Sequence, residues 1–422
     1  MLAAVLWGGP GDPPRNVVIH RDDGSSYAPC EPSIAISPLD PQVMVAGSIL
    51  DNVYHSHDGG ATWERQRLRS PFGVFGDPCV VASPLGDFYY LHLSNPDGRG
   101  WDSEALLDRI VCQRSRDNGA SWNRGGHMGR NGARDQDKEW AAVSPDGRSI
   151  YACWTQFDKY GSKFAGDSSL IFCSASNRRA VRWSEPVRVS DRPGDCRDGD
   201  ETVEGAVPSV LPDGSLAVVW AYREDLWFDR SEDGGRTWLP ADVRVADIIG
   251  GWEVSIPGLD RANGMPVTAV DHSDGPHRGR LYVNWTDTRN GPGDMDVFLA
   301  YSDDRGATWS APVRVNDDPA GAHQFFTWLA VDAVTGHLHA VFYDRRNATP
   351  SSPLLTEVTW ATSRDGGATW TNQIISESPF YPGKADFFGD YNNIAAHGGH
   401  VRPIWTREDN GVLSIVTALI EE

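Results

Sequence analysis

The stretch "SHDGGATW", from Ser56 to Trp63, returns along the chain, and its recurrence decides the fold. Four further copies keep the first serine, the aspartate at the third position, the glycine at the fifth and the final tryptophan: SRDNGASW (115–122), SEDGGRTW (231–238), SDDRGATW (302–309) and SRDGGATW (363–370). A worn copy, SASNRRAVRW, covers 174–183. The starting serines are separated by between 57 residues (174 to 231) and 71 residues (231 to 302). A period of about sixty residues predicts a propeller, a solenoid or another repeat array.

Each repeat is predicted to consist of strands. The second repeat contains the runs DPCVVASP, FYYLHLS and RIVCQRS, which are rich in β-branched and aromatic residues and are broken by turn residues. No helical periodicity interrupts them. The octapeptide follows the third run and precedes a short fourth segment, so we expect four strands with the octapeptide in the turn between the third and the fourth.

Seven inner strands can be counted, because a strand like DPCVVASP begins every repeat. The last repeat, from Asp386, lacks an octapeptide and a fourth strand, whereas the strand NVVIHRDD from Asn16 belongs to no repeat. We therefore predict an all-β, seven-bladed propeller of four-stranded blades over residues 16–422, closed by its N-terminal strand, with a tail at 1–15. A six-bladed ring and a solenoid are the alternatives.

The octapeptide itself serves the fold. Its aspartate can accept hydrogen bonds from the turn, its glycines supply unusual backbone angles, and its tryptophan offers a large apolar surface. A residue set that recurs in blade after blade indicates architecture rather than six separate sugar-binding turns.

Composition narrows the function classes. The 422 residues carry a net charge of −20, which argues against nucleic acid as a partner. No run approaches the length of a membrane helix, and MLAAVLWGG at the start suits at most the remnant of a signal peptide. We expect a secreted or periplasmic monomer that acts on a glycan or polysaccharide.

The six cysteines allow two alternatives. Either they form disulfide bridges, with Cys153 facing Cys173 and Cys30 near Cys79, or they are buried free thiols.

The face opposite the octapeptides is the predicted site. Inner strands begin there with acids at comparable positions: Glu31, Asp77, Glu139, Glu204 and Asp390. Loops after the second strands bring Asp51 and a set of arginines beside acids: Arg223, Asp287, Arg289, Arg345, Arg346 and Arg407. Mixed guanidinium groups and carboxylates suit the binding and cleavage of an acidic sugar. Alternatively, each arginine pairs with its neighbouring aspartate and fixes its own loop.

The repeated Ser-x-Asp-x-Gly-x-Thr-Trp resembles the Asp-box, or BNR, signature, and nearly the whole chain resembles the sialidase-like Asp-box propellers. That resemblance implies a tyrosine nucleophile, an assisting glutamate, an aspartate acid/base and three arginines. Tyr391, in GDYNNIAA, resembles the nucleophile, and Arg223 the second arginine. Asp51 is the candidate acid/base by blade and loop, and Glu204 the candidate glutamate. Two positions depart from the family: Cys30 replaces its first arginine and Val210 its assisting glutamate.

The predicted function is thus a sialidase-like exo-glycosidase that acts on a terminal, acidic sugar. A non-catalytic propeller that serves as a glycan-binding or protein-interaction scaffold is the alternative from another class, and a polysaccharide lyase is the third. No cofactor is required for any of these. The acidic loop at 191–202 is a candidate for structural calcium, but it lacks the spacing of a known calcium loop.

Overall fold

The protein is described by a computed structural model that covers residues 13–24, 27–319 and 321–422. The apolar start and most of the predicted tail lie outside the described residues. Within them, regular structure consists of β-strands and one short 3₁₀ turn at Gly100–Asp102, so the predicted all-β class is confirmed. None of the described helical structure is long and apolar enough to cross a membrane.

Six antiparallel four-stranded sheets follow one another along the chain, each with its strands in sequence order. Blade 1 contains β2 (Ser33–Ile36), β3 (Met44–Ser48), β4 (Asn52–Ser56) and β5 (Glu64–Arg67), and blade 2 contains β6 (Cys79–Ala82), β7 (Phe88–Leu93), β8 (Ile110–Ser115) and β9 (Gly126–Met128). Blade 3 contains β10 (Asp135–Val143), β11 (Ser149–Phe157), β12 (Ser169–Asn177) and β13 (Val187–Arg188), and blade 4 contains β14 (Glu204–Val210), β15 (Leu216–Tyr222), β16 (Asp225–Ser231) and β17 (Val243–Asp247). Blade 5 contains β20 (Val267–Val270), β21 (Leu281–Asp287), β22 (Asp296–Ser302) and β23 (Val313–Arg314), and blade 6 contains β24 (Gln324–Val331), β25 (Leu338–Asp344), β26 (Glu357–Ser363) and β27 (Thr371–Ile374).

The seventh blade joins the two ends of the chain. It consists of β28 (Asn393–His397), β29 (His400–Asp409), β30 (Val412–Ala418) and, as its outer strand, β1 (Asn16–Arg21); the short β31 (Ile420–Glu421) also pairs with β29. Inner strands of successive blades contact each other, and β28 contacts β2. The predicted seven-bladed ring with N-terminal closure is therefore confirmed, and closure leaves no open sheet edge between the first and last blades.

The octapeptides occupy the predicted turns between third and fourth strands. In the first, Ser56 Oγ donates to Asp58 Oδ1 at 2.9 Å, and Thr62 donates to the same carboxylate through its amide at 2.9 Å and its hydroxyl at 2.6 Å. Gly59 and Gly60 have φ of 70° and 89°, angles that favour glycine. The bonds recur in the other four well-kept copies, which confirms that the motif is a turn.

The core lies between neighbouring blades. The largest side chains with almost no exposed surface include Trp154, Trp220, Trp285 and Trp405, which lie on the second strands of blades 3, 4, 5 and 7. In the first Asp-box turn, Trp63 donates from Nε1 to Gly60 O at 2.9 Å and packs against the buried cluster that contains Ile34. Aromatic burial of this size stabilises each blade against the next.

One element was not predicted from the sequence. Between blades 4 and 5 a small two-stranded sheet forms from β18 (Glu253–Val254) and β19 (Ala262–Asn263). It accounts for part of the 71-residue interval between Ser231 and Ser302, the longest in the array. Its connecting turn carries Asp260 and Arg261 to the mouth of the central channel.

The cysteines are free thiols in this structure, and all six are buried. Cys153 and Cys173 lie directly opposite each other in the ladder between β11 and β12, as the sequence predicted, yet they are not bridged. Of the two alternatives, the structure therefore shows buried thiols.

Candidate functional site

A cavity of about 650 Å³ opens at the channel mouth, on the face away from the Asp-box turns. Its wall is built from the residues just before inner strands, among them Glu31 and Asp77, and from loops that connect the strands. The predicted face thus carries a cavity, and two of the predicted acids line it. We refer to this space as the channel-mouth cavity.

The backbone places a charged residue at the same point of the first three blades. Glu31, Asp77 and Lys138 have φ of 54°, 49° and 53°. Glu31 and Asp77 stand two residues before the first ladder position of their inner strands, and Lys138 stands two residues before Trp140, where the β10 ladder resumes after a register shift. In blade 3 the residue at that point is Lys138, because the register shifts between Asp137 and Trp140. Glu139, which the sequence had aligned with Glu31, is displaced by one position and does not line the cavity.

A buried ion-pair network supports the cavity wall. Lys138 Nζ bonds Asp390 Oδ2 and lies 3.8 Å from Asp77 Oδ2. Arg261 Nε donates to Asp390 Oδ1 at 2.8 Å, and its Nη1 donates to Asp198 Oδ2 at 3.2 Å. Although burial opposes ionisation, Lys138 and Arg261 hold the pKa of Asp390 below its usual value. Asp390 is thus an ionised anchor behind the wall rather than a free carboxylate.

Glu31 and Asp77 titrate differently from Asp390. Burial, together with the carboxylates of Asp77 and Asp390, raises the pKa of Glu31 well above its usual range. Burial also raises the pKa of Asp77, although the Lys138 ammonium favours its charged form. Within the part of the chain that the structure describes, the Glu31 carboxyl accepts one hydrogen bond, from the Asp390 amide at 3.1 Å. Glu31 is therefore the member of the pair that retains a proton more readily.

An aromatic wall faces these acids. Trp101, on the 3₁₀ turn between β7 and β8, is 67% exposed and lines the cavity. Its ring stacks on Tyr160, with centroids 5.8 Å apart and planes at 29°, and it meets Phe75 edge-on at 5.7 Å. An indole that is held in place but left open to solvent offers a flat apolar surface to a ligand ring.

The predicted nucleophile, Tyr391, lies below the cavity and not on its wall. It is 3% exposed, packs against Trp140 with ring centroids 5.0 Å apart, and its hydroxyl has no hydrogen-bond partner among the residues that the structure describes. Burial and the carboxylates of Glu31, Asp77 and Glu139 raise its pKa. Glu204 is likewise buried, and burial, with the nearby Asp198 carboxylate next, raises its pKa well above its usual range. The structure therefore places both candidates outside the cavity lining.

The predicted arginines do not converge on the channel mouth. Most pair with an acid of their own loop or a neighbouring one: Arg223 with Glu201 at 2.9 Å, Arg289 with Asp287, Arg346 with Asp344 at 2.6 Å and Arg407 with Asp409 at 2.8 Å. None of them lines the cavity.

Arg345 differs from the other arginines, since it is buried and bonds Pro257 O and Thr356 Oγ1 instead of a carboxylate. Burial lowers its pKa to about 10. The alternative in which arginines fix loops describes this set better than a shared carboxylate clamp.

Two further candidate acids also have local roles. Asp51 pairs with Arg67 at 2.5 Å and is not part of the cavity lining, although its neighbours Ile49 and Leu50 are. Asp287 is buried and accepts from Trp285 Nε1 at 2.8 Å.

The acidic loop proposed for calcium uses its carboxylates separately. Asp195 accepts from Thr202 Oγ1 at 2.8 Å, Asp198 binds Arg261, and Asp200 accepts from the Glu253 amide at 2.8 Å. Across the described ranges, no group of three or more His, Cys, Asp or Glu side chains is arranged to hold a metal ion. A calcium role for this loop stays a prediction.

Sequence reasoning missed Lys138, Asp137, Asp198, Tyr160, Trp101 and Arg261. Lys138 stands beside the predicted Glu139 in "DKEW", so a residue-by-residue count back from Trp140 would have found it. Arg261 had one signal, the long interval between Ser231 and Ser302. Asp198, Tyr160 and Trp101 lie in irregular loops, where no sequence period marks a position.

Comparison with known proteins agrees with this fold. Residues 54–65 and 300–311 match the family described as BNR/Asp-box repeat. A Dyadobacter fermentans protein of unknown function is similar over 96% of this chain and 97% of its own, with a TM-score of 0.50 and 13% identity.

Two sialidases are also similar. A Hadza microbial sialidase matches over 90% of this chain and 73% of its own, with a TM-score of 0.48 and 16% identity. A Trypanosoma rangeli sialidase in complex with 2,3-difluorosialic acid matches over 85% and 55%, with a TM-score of 0.49 and 15% identity.

Proposed function

We propose that the protein is a carbohydrate-active enzyme that hydrolyses the bond to a terminal sugar bound in the channel-mouth cavity. The observation that carries the proposal is the pair of largely buried carboxyls, Glu31 and Asp77, on one cavity wall. Hydrolysis of a glycoside needs two carboxyl groups in different protonation states, and neighbouring acids in a buried wall tend to reach that condition.

The two carboxyls suit different roles. Glu31, whose pKa is raised well above its usual range by burial and by Asp77, would donate a proton to the leaving oxygen. Asp77, which lies 3.8 Å from the Lys138 ammonium, would stay ionised and either activate water or stabilise positive charge on the sugar. Asp390 acts as a positioning residue, because it holds both Lys138 and Arg261.

A hydrolysis screen of sialosides, uronosides, neutral glycosides and amino-sugar glycosides tests the proposal. Glu31→Gln and Asp77→Asn are each expected to lower kcat by about a hundredfold or more, a typical contribution of acid–base catalysis. The matched control is Glu185→Gln, the same substitution at an exposed position of the third blade. Equal rates for wild type and both cavity variants on a cleaved substrate would overturn the assignment.

Tyr391→Phe separates this mechanism from the one implied by the family resemblance. A loss of activity in this variant, with an unchanged melting temperature, would assign the chemistry to Tyr391 instead of the Glu31–Asp77 pair. Retained activity supports the pair, because the Tyr391 hydroxyl is buried and has no partner in the resting protein.

A non-catalytic glycan-binding propeller is the second candidate. It is favoured by one observation: none of the predicted arginines lines the cavity, while Cys30 and Val210 stand where the resemblance implies an arginine and a glutamate. Glycan binding that depends on Trp101, with no product from any substrate class, would support this second function.

A further inference from the structure

The charges around the channel-mouth cavity do not balance. Five carboxyls lie in and directly behind its inner wall, namely Glu31, Asp77, Asp137, Asp198 and Asp390, and they face only Lys138 and Arg261. Both cations are engaged by Asp390, and Arg261 also by Asp198. At the rim, Asp260 and Asp386 are exposed beside Lys384. Among the described residues, the inner wall therefore has an excess of acids and no uncommitted cation for an acidic ligand.

We propose that the cavity selects a ligand with a protonated amine beside an apolar ring face, that is, a sugar with a free amino group. This inference rests on the proposed site and names its substrate class, and it departs from the acidic sugar expected from the arginines. The amine would bind Asp137, and the ring would lie against Trp101. The same indole and the Tyr160 and Phe75 rings also attract a cation through their faces.

Ligand binding should also change the number of protons bound by the site, which gives a second measurable effect. Burial, with the Asp77 carboxylate next, raises the pKa of Asp137 to about 7, and burial also raises that of Glu31 and Asp77. An ammonium placed among these acids favours their charged forms, so binding should release protons below pH 7, where the sugar amine is already protonated. The other groups that face these acids and set their starting protonation are Lys138, Arg261, Asp198, Asp390, Tyr160, Glu139 and Glu204.

The test compares three probes of matched size by calorimetry: the β-1,4-linked trimer of glucosamine, the same trimer fully N-acetylated, and sialyllactose. The glucosamine trimer is expected to bind about tenfold or more tightly than either of the others, since one ion pair is gained. Repeating the titration in two buffers of different ionisation enthalpy should show proton release. Asp137→Asn should remove most of the preference, whereas Glu185→Gln should not.

The results separate the inference from the proposed hydrolysis. Selective binding of glucosamine trimer without cleavage would support the inference and overturn the hydrolytic function. Cleavage of acetylated or acidic sugars with no preference for the amine would support hydrolysis and overturn the inference. Equal binding of all three probes, or an unchanged preference in Asp137→Asn with an intact fold, would also overturn it.

Discussion

Glu139 shows how a single buried carboxyl links the site to stability. Both of its carboxyl oxygens are buried without a hydrogen-bond partner, and it does not line the cavity. Burial, together with the carboxylate of Asp77, raises its pKa well above the usual range. An acid whose pKa is raised in the folded state binds more protons there than when unfolded. Its contribution to the free energy of unfolding therefore falls as the pH rises above its unfolded pKa.

We predict that Glu139→Gln is more stable than wild type at pH 8 and that the difference shrinks towards pH 4. The amide cannot ionise, so it avoids the burial of a charge at high pH. Urea unfolding at several pH values measures this, with Glu185→Gln as the exposed control. A variant that is less stable than wild type at every pH would show that Glu139 makes a contact that the charge argument omits.

At this scale, the sequence predicted some site residues and misplaced others. Glu31 and Asp77 each precede a proline at a strand start, and simple alignment of repeats found them. That alignment placed Glu139 at the position that Lys138 occupies in the structure, because a bulge adds a residue near the start of β10. A second bulge, between Glu204 and Val207, displaces Glu204 in the same way. A bulge cannot be inferred from a pattern that assumes alternation.

At the scale of the element, the spacing between arginines and aspartates in the loops after the second strands could have predicted that they pair within each loop. Asp287 and Arg289, Asp344 and Arg346, and Arg407 and Asp409 stand two residues apart, and each pair closes on itself. Such pairs in the loops after second strands fix those loops. The β18–β19 sheet could not be predicted in the same way, because its strands are two residues long and match no repeat.

Burial of the cysteines in the blades also determines how reactive their thiols are. All six cysteines are buried, and burial raises the pKa of Cys30, Cys79, Cys112 and Cys153, so little reactive thiolate is present. We predict that a thiol reagent labels none of them in the native protein at pH 7 and labels all six after denaturation without reductant. Fewer labelled thiols after denaturation would indicate a bridge, with Cys153–Cys173 the first pair to map by peptide analysis.

For the whole molecule, ring closure is the feature on which cooperative stability should depend. In β1, Ile19 packs against the cluster that contains Ile34 and Ile415, whereas its neighbour Val18 is exposed. We predict that Ile19→Asp lowers the free energy of unfolding by about 2 kcal/mol or more, because a charge enters an apolar cluster. Val18→Asp, on the opposite face of the same strand, should leave it nearly unchanged.

Thermal unfolding followed by circular dichroism measures both variants. Equal melting temperatures for Ile19→Asp and wild type would mean that the seventh blade holds without its outer strand. At this scale the sequence was most informative, since the repeat period, the missing last octapeptide and the unassigned first strand together favoured a closed seven-bladed ring over a six-bladed ring or a solenoid.

The pairing of β1 with β30 also orders events during synthesis. Val18 is the ladder partner of Val416, a separation of 416 − 18 = 398 residues. A ribosome releases the first strand long before its partner exists, so the nascent chain must keep β1 unpaired while six blades form. Contacts between residues so far apart in sequence form slowly, because the entropy of closing the loop is lost before the contact is made. The last blade, and with it the wall that carries Asp390, can therefore assemble only after the C-terminal strands have left the ribosome.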